Sequence, residues 1–315
     1  MNTTTESMAP AVRRIRVYFA PVNRSAQQPT IFDPAQLGLF DLNTPPAPWL
    51  DLGWISGFSR KSGTIIQALR GGAPTTTQGQ SRSEVEATVA FEFASWGKLQ
   101  MALASGTQQM NLLRTGPGVT AAGSGGAGMP AVAVQTGSTA SVLQVGNTAA
   151  AAFAAGQMVA VDVDYTGQLG FVGSGVSGAY VKAALVDADY VRRVSLNVAR
   201  VAAVQNGALT LESPLLAGTP VTGMKVSAVT GFCDREGSSF FQEWSGLFVA
   251  EGQQGERVLW HYPRLQAMAS AGETAASGSG GLEMLRQSAA FRALPVKDAV
   301  DGETVVCFRS FVAGW

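Results

Sequence analysis

Few residues in this chain have the types and spacing that chemistry requires. The single histidine, His261, stands in Trp260-His261-Tyr262-Pro263. A serine–histidine–aspartate arrangement needs a nucleophile on an exposed turn, and no G-x-S-x-G elbow occurs. A histidine between aromatics on a strand therefore reads as packing. Cys233 and Cys307 are far apart and form neither a metal-binding spacing nor a disulfide framework, so both read as core thiols. Asp162 with Asp164, and Asp187 with Asp189, fall on common strand faces where carboxylates suit a hard cation. Solvated acids at strand ends are the simpler reading. Gly123-Ser-Gly-Gly-Ala-Gly128 fits the dinucleotide fingerprint in letters only. Pro130 follows it, and the next acid is Asp162, so the strand–helix context is missing. Asp234-Arg235-Glu236 reads as a local ion-paired turn. The expectation is a protein without a catalytic centre, a metal or a cofactor.

Composition narrows the classes further. Hydrophobic residues make up 46% of 315, enough for a packed core, while charged residues are 14% against a usual share of about 25%. With 22 basic and 22 acidic residues there is no excess of cations for tight phosphate binding. The stretch from Met1 to Met8 is polar and predicts no secretory signal. The apolar run from Thr148 to Val163 is broken by Gly156, Gln157 and Asp162, which predicts no membrane span.

The elements that must position everything else are short strands. Arg14 to Phe19 alternates, with Ile15, Val17 and Phe19 on one face. Residues 21 to 48 carry proline and glutamine without periodicity and read as an extended loop. A hairpin is expected from Leu52 to Arg70, turning at Ser59-Arg60-Lys61-Ser62-Gly63, then a loop over 71 to 83. In Val85 to Phe93 the apolar set Val85, Ala87, Val89, Phe91 and Phe93 alternates with Glu84, Glu86, Thr88 and Glu92, which places the two sets on opposite sheet faces. Ser95 is expected to cap a helix over Trp96 to Ala104 that ends at Gly106. After a Gly/Ala/Pro linker over 115 to 130, strands are expected at Ser141–Val145, Gln157–Asp162, Tyr180–Val186, Val194–Val204 and Ala208–Glu212. Asn206-Gly207 is a strong two-residue hairpin signal between the last two. Aromatic-rich strands return at Ser239–Val249, Arg257–Tyr262 and Thr304–Phe311, and Thr274 to Gly281 reads as a flexible loop. Trp49, Trp54, Trp96, Trp244 and Trp260 are expected in the core. The domains so read are 1–130 with 229–315 as one discontinuous β core, and 131–228 as an inserted small β-barrel.

The acidic/apolar strand and Leu/Ala helix of residues 84 to 104 resemble the centre of siphophage-type tail tube proteins. Leu50-Asp-Leu-Gly-Trp-Ile-Ser-Gly57, Val258-Leu-Trp-His-Tyr-Pro-Arg-Leu265 and Ala290-Phe-Arg-Ala-Leu-Pro295 resemble further strands of that family in the same order. The likeness covers residues 50 to 115 and 232 to 312. It implies a mainly β fold: a two-sheet sandwich or barrel with one flanking short helix, here carrying the inserted domain. It also implies hexameric rings of this chain, stacked into a virion tail tube that is assembled in the host cytoplasm. The implied partners are a tape-measure protein, tail-end proteins and genomic DNA in transit, with no membrane. Glu84, Glu86 and Glu92 are then candidates to face the lumen, where carboxylates repel phosphates. Arg60 and Lys61, at the expected hairpin tip, are candidates for contacts between rings. Alternative readings are another virion ring or decoration protein, or a non-viral carbohydrate-binding β-sandwich.

Overall fold

The computed structural model describes residues 14–23, 28–106, 108–114, 131–162, 178–179, 197–235, 242–268, 272–277 and 283–314. The chain opens with β1 (Arg14–Pro21), α1 (Pro34–Leu37), β2 (Leu50–Gly71) and β3 (Thr76–Phe93). There follow α2 (Lys98–Ser105), β4 (Gln108–Leu113), β5 (Val132–Ala133), β6 (Val142–Gln144), α3 (Asn147–Ala150), β7 (Met158–Asp162), β8 (Gly178–Ala179), β9 (Val198–Gln205), β10 (Ala208–Leu211) and β11 (Lys225–Arg235). The chain closes with β12 (Glu243–Glu251), β13 (Arg257–Ala267), β14 (Glu273–Ser277), β15 (Glu283–Ala293), β16 (Val296–Lys297), β17 (Thr304–Val305) and β18 (Phe308–Val312). Every strand pairing is antiparallel, so the protein is mainly β with short helices between strands.

Two compact units result: residues 1–22, 27–96 and 243–315, and residues 23–26 with 97–242. The boundaries read from sequence, at 130/131 and 228/229, both fall inside the second unit. The reason lies in one strand: β11 runs unbroken across 228/229, pairing with β7 from Lys225↔Asp162 to Val229↔Met158 and with β4 from Val229↔Leu113 to Arg235↔Gln108, which carries β4 into the second unit.

In the first unit the sheet runs β14-β15-β3-β2-β1-β12-β13-β18, and β13 also pairs with β15 through Leu265↔Ala293 and Ala267↔Phe291. That extra pairing closes the six strands from β15 round to β13 on themselves, removing their edges. The enclosed side chains are mostly aromatic. Phe19 packs on Trp244, Phe248 and Phe291, Phe91 stacks on Phe291 at 5.8 Å, and Phe58 lies against Phe248 and Trp260. Gly246 is required where the rings crowd, since a Cβ there would stand 2.5 Å from Leu265.

β1 and β12 are buried on both faces. Residues 28–48, from the stretch read as an extended loop, together with Trp49 cover their outer side, with Phe32, Leu42 and Trp49 packed on Tyr18, Leu247, Val249 and Leu259. Polar bonds fasten the cover. Tyr18 donates to the Leu42 carbonyl, Arg257 donates to the carbonyls of Gly38 and Phe40, and Arg16 pairs with Asp51.

The second unit's sheet has the order β6-β10-β9-β7-β11-β4-β8, with β5 also on β11. Leu143, Val159, Val161, Val201, Leu209 and Val226 are among its core residues. β9 and β10 join through Asn206 and Gly207, both at positive φ (49° and 76°), as the Asn-Gly signal predicts. α2 is shorter at its start than expected, and its N-cap residue is Gly97 rather than Ser95. Its end at Gly106, in the left-handed region, is as expected. Residues 123–128, 164, 187 and 189, and the strand expected over 180–186, lie outside the described residues.

Candidate functional site

The feature that sets this molecule apart from an ordinary closed sheet is a two-stranded arm. β1 pairs with β2 only as far as Ile55, and β15 pairs with β3 only over Ala87 to Phe93. Beyond those points β2 and β3 pair with each other alone, from Gly63↔Glu86 to Gly71↔Thr76. Residues 61–70 are all exposed. No other strand among the described residues covers either outer edge of this ribbon. It carries large aliphatic side chains into solvent: Ile65, Ile66 (53% exposed), Leu69 (60%) and Val85 (42%).

The turn expected at 59–63 does not exist, because β2 runs straight through it. The chain reverses at residues 72–75, where Gly72 has φ +94°. The expected loop over 71–83 is thus a four-residue turn followed by strand. Arg60 and Lys61 are therefore not at a tip; they sit where the arm leaves the closed sheet. Arg60, on the same face as Val89, points inward and its Nε donates to the Tyr262 hydroxyl at 3.0 Å. Burial pushes the Tyr262 phenol up to about 12 even with that guanidinium beside it. Burial likewise raises the neighbouring, half-buried Cys307 thiol. Lys61 stays on the outer face opposite Thr88.

The alternation read in Val85 to Phe93 holds from Ala87 onward, where Ala87, Val89, Phe91 and Phe93 are buried. Val85 departs from it because the partner β15 has already ended. On the opposite face the three glutamates are not a bare acidic row. Glu86 meets Arg292 at 3.1 Å, and Glu92 accepts from Ser56 and lies 4.0 Å from Arg286. Glu84, exposed, lines a shallow 390 Å³ depression with Lys61 and Glu86. The carboxylates thus alternate with cations from β15 and β2. This interleaving was invisible in sequence, since the arginines stand some 200 positions away.

The remaining sequence candidates are structural or out of view. His261 is buried between Trp49 and Phe308, and its Nε2 lies 3.2 Å from the Thr30 carbonyl oxygen. Burial lowers its pKa to about 4, so it packs as a neutral ring. Asp234 and Arg235 continue β11 rather than forming a turn. Thr274 to Ser277, expected in a flexible loop, belong to β14, which pairs with β15. Trp49 and Trp244 are core, but Trp96 is exposed. One buried cation had no sequence signal at all. Lys98, at the start of α2, has no hydrogen-bond partner for its Nζ, and burial lowers its pKa to about 7.

The first unit also holds a pocket of about 650 Å³. Pro29, Ile31 and Phe32 of the cover, Val296 and Val300 of the following turn region, and Phe308 of β18 supply its apolar lining. Among the described residues no cluster of three or more His, Cys, Asp or Glu is placed to hold a metal ion, and no helix is long and apolar enough to cross a membrane. No protein-family model matches the chain, and no curated protein matches it.

Proposed function

We propose that this chain is a structural subunit of a phage-type tail tube, working by self-association into stacked hexameric rings that form a conduit for DNA. The observation that carries the reading is the arm. A two-stranded ribbon is marginal in water, and open edges with exposed aliphatic side chains are a template for pairing. Such a ribbon is stabilised when another copy covers it, and closed-ring assembly covers every copy equally. The order of motifs that resemble the tail tube family supports the same reading.

In the proposed ring the outer face of β3 and β15 lines the channel. Glu86 and Glu92 hold Arg292 and Arg286 in ion pairs, so the wall offers phosphates few unengaged cations. DNA then passes without sticking. The second unit stands as the inserted β domain of the subunit, and a tape-measure protein and tail-end proteins are the partners that the resemblance implies.

Sedimentation velocity of the full-length chain over a wide concentration range, with negative-stain microscopy, tests the proposal. Rings of six-fold symmetry or tubes are expected. A chain that remains monomeric at the highest concentration refutes it.

A further inference from the structure

We infer that the 650 Å³ pocket of the first unit receives the tip of the β2–β3 arm from a second copy of the chain. The inference rests on the self-association reading and assigns it a specific pair of surfaces.

Three observations point to this occupant. The arm offers branched aliphatic side chains, Ile66 and Leu69, on a narrow ribbon, and the pocket offers a concave apolar lining from Ile31, Phe32, Val296 and Val300. Ile66 and Leu69 on the arm and Ile31 and Val300 at the pocket are exposed, Val300 at 94%, and no residue of the arm lines the pocket of its own chain. The charges are also complementary. The arm from 66 to 82 carries Arg70 and Arg82 and no acid. The pocket and the turn beside it carry Asp33, Asp298, Asp301 and Glu303 against Lys297 and Arg309, which is four acids to two bases.

Arm and pocket are different patches of one unit, so their contact is head-to-tail. Each copy then gives one arm and receives one, and repetition closes a ring or extends a filament according to the rotation per copy. Apolar side chains seated in a pocket with opposite charges at its rim supply both adhesion and register. The same arrangement leaves a terminal copy with an empty pocket or a bare arm, which is how growth continues.

Two experiments on the full-length chain test this. Leu69→Asp and Val300→Asp both alter exposed side chains, so each should keep the wild-type melting profile while weakening association by about 30-fold or more. In the second, Leu69→Cys and Val300→Cys proteins are mixed under mild oxidation, with the unsubstituted chain controlling for Cys233 and Cys307. A cross-linked pair in the mixture, absent from either protein alone, is the expected result. Cross-linking of Leu69→Cys with itself means that arms pair with arms and overturns the docking. Normal assembly of both aspartate variants, or no cross-link in a mixture that assembles, also overturns it while leaving self-association standing. A wild-type chain that never associates overturns both.

Discussion

The inner and outer halves of the β2–β3 ladder belong to the same two strands and share one hydrogen-bonding register, yet they differ in almost everything else. Over Ala87 to Phe93, β3 lies between β2 and β15, its apolar side chains meet Phe248 and Phe291, and its outer face is laced with ion pairs. Over Thr76 to Glu86 the same strand has β2 as its one strand neighbour among the described residues, and side chains such as Gln78, Arg82, Glu84 and Val85 are exposed. The inner half is held by burial and the outer half by backbone pairing alone. The contrast separates the part of the molecule that a core holds in place from the part that two paired strands hold without one.

The largest expected effect breaks that contrast at its buried end. Phe291→Ala removes a ring that touches Phe19 and Phe91, and should lower stability in urea unfolding by about 3–5 kcal/mol. Leu69→Ala in the arm should change the monomer by no more than about 0.5 kcal/mol. Equal losses at the two sites would mean that the arm is part of the core after all.

A smaller effect comes from the cover over β1 and β12. Buried His261 has a pKa of about 4, below its ordinary value of about 6.5, so between those values the unfolded chain binds more protons than the folded one. Its contribution is complete above pH 6.5 and falls as the pH drops toward 4, by about 3 kcal/mol in all. Urea titrations at several pH values should show His261→Gln flattening that slope relative to wild type. An unchanged slope would place the histidine in contact with water.

The smallest effect on stability sharpens the comparison on the outer face of β3. Glu86→Gln with Glu92→Gln should cost less than about 1 kcal/mol, because both ion pairs are half exposed. The freed Arg286 and Arg292 should then retain double-stranded DNA at low salt, with retention lost as salt rises. A double variant that binds no more DNA than wild type would show that this face does not meet phosphate.

Much of the strand pattern was legible because its cues are local. Alternation in Ala87–Phe93 and in Arg14–Phe19 marked strands and their inner faces, and Asn206-Gly207 marked a hairpin, since period and turn chemistry act over a few residues. The cues failed where the outcome depended on a distant partner. Ser59 to Gly63 has turn composition, but its residues face Glu86 to Ala90 across an established ladder and stay extended. Residues 28–49 lack periodicity because they do not form a sheet; they cover one, a role set by Tyr18, Leu247 and Arg257 from elsewhere. The candidate site was legible in its acids and illegible in its arm, because polar residues such as Thr76 to Ser81 suit a loop and an exposed strand equally.

What the sequence by itself determined is therefore the antiparallel β character, the aromatic inner set and the low charge, all of which follow from residue type and spacing. Tertiary structure alone decided that β13 and β15 close the first sheet, that β4 belongs with β11, and that β2 and β3 run on past their neighbours. Those outcomes rest on which strand edges find partners. That is a property of pairings between residues far apart in the chain, and local pattern carries no record of it.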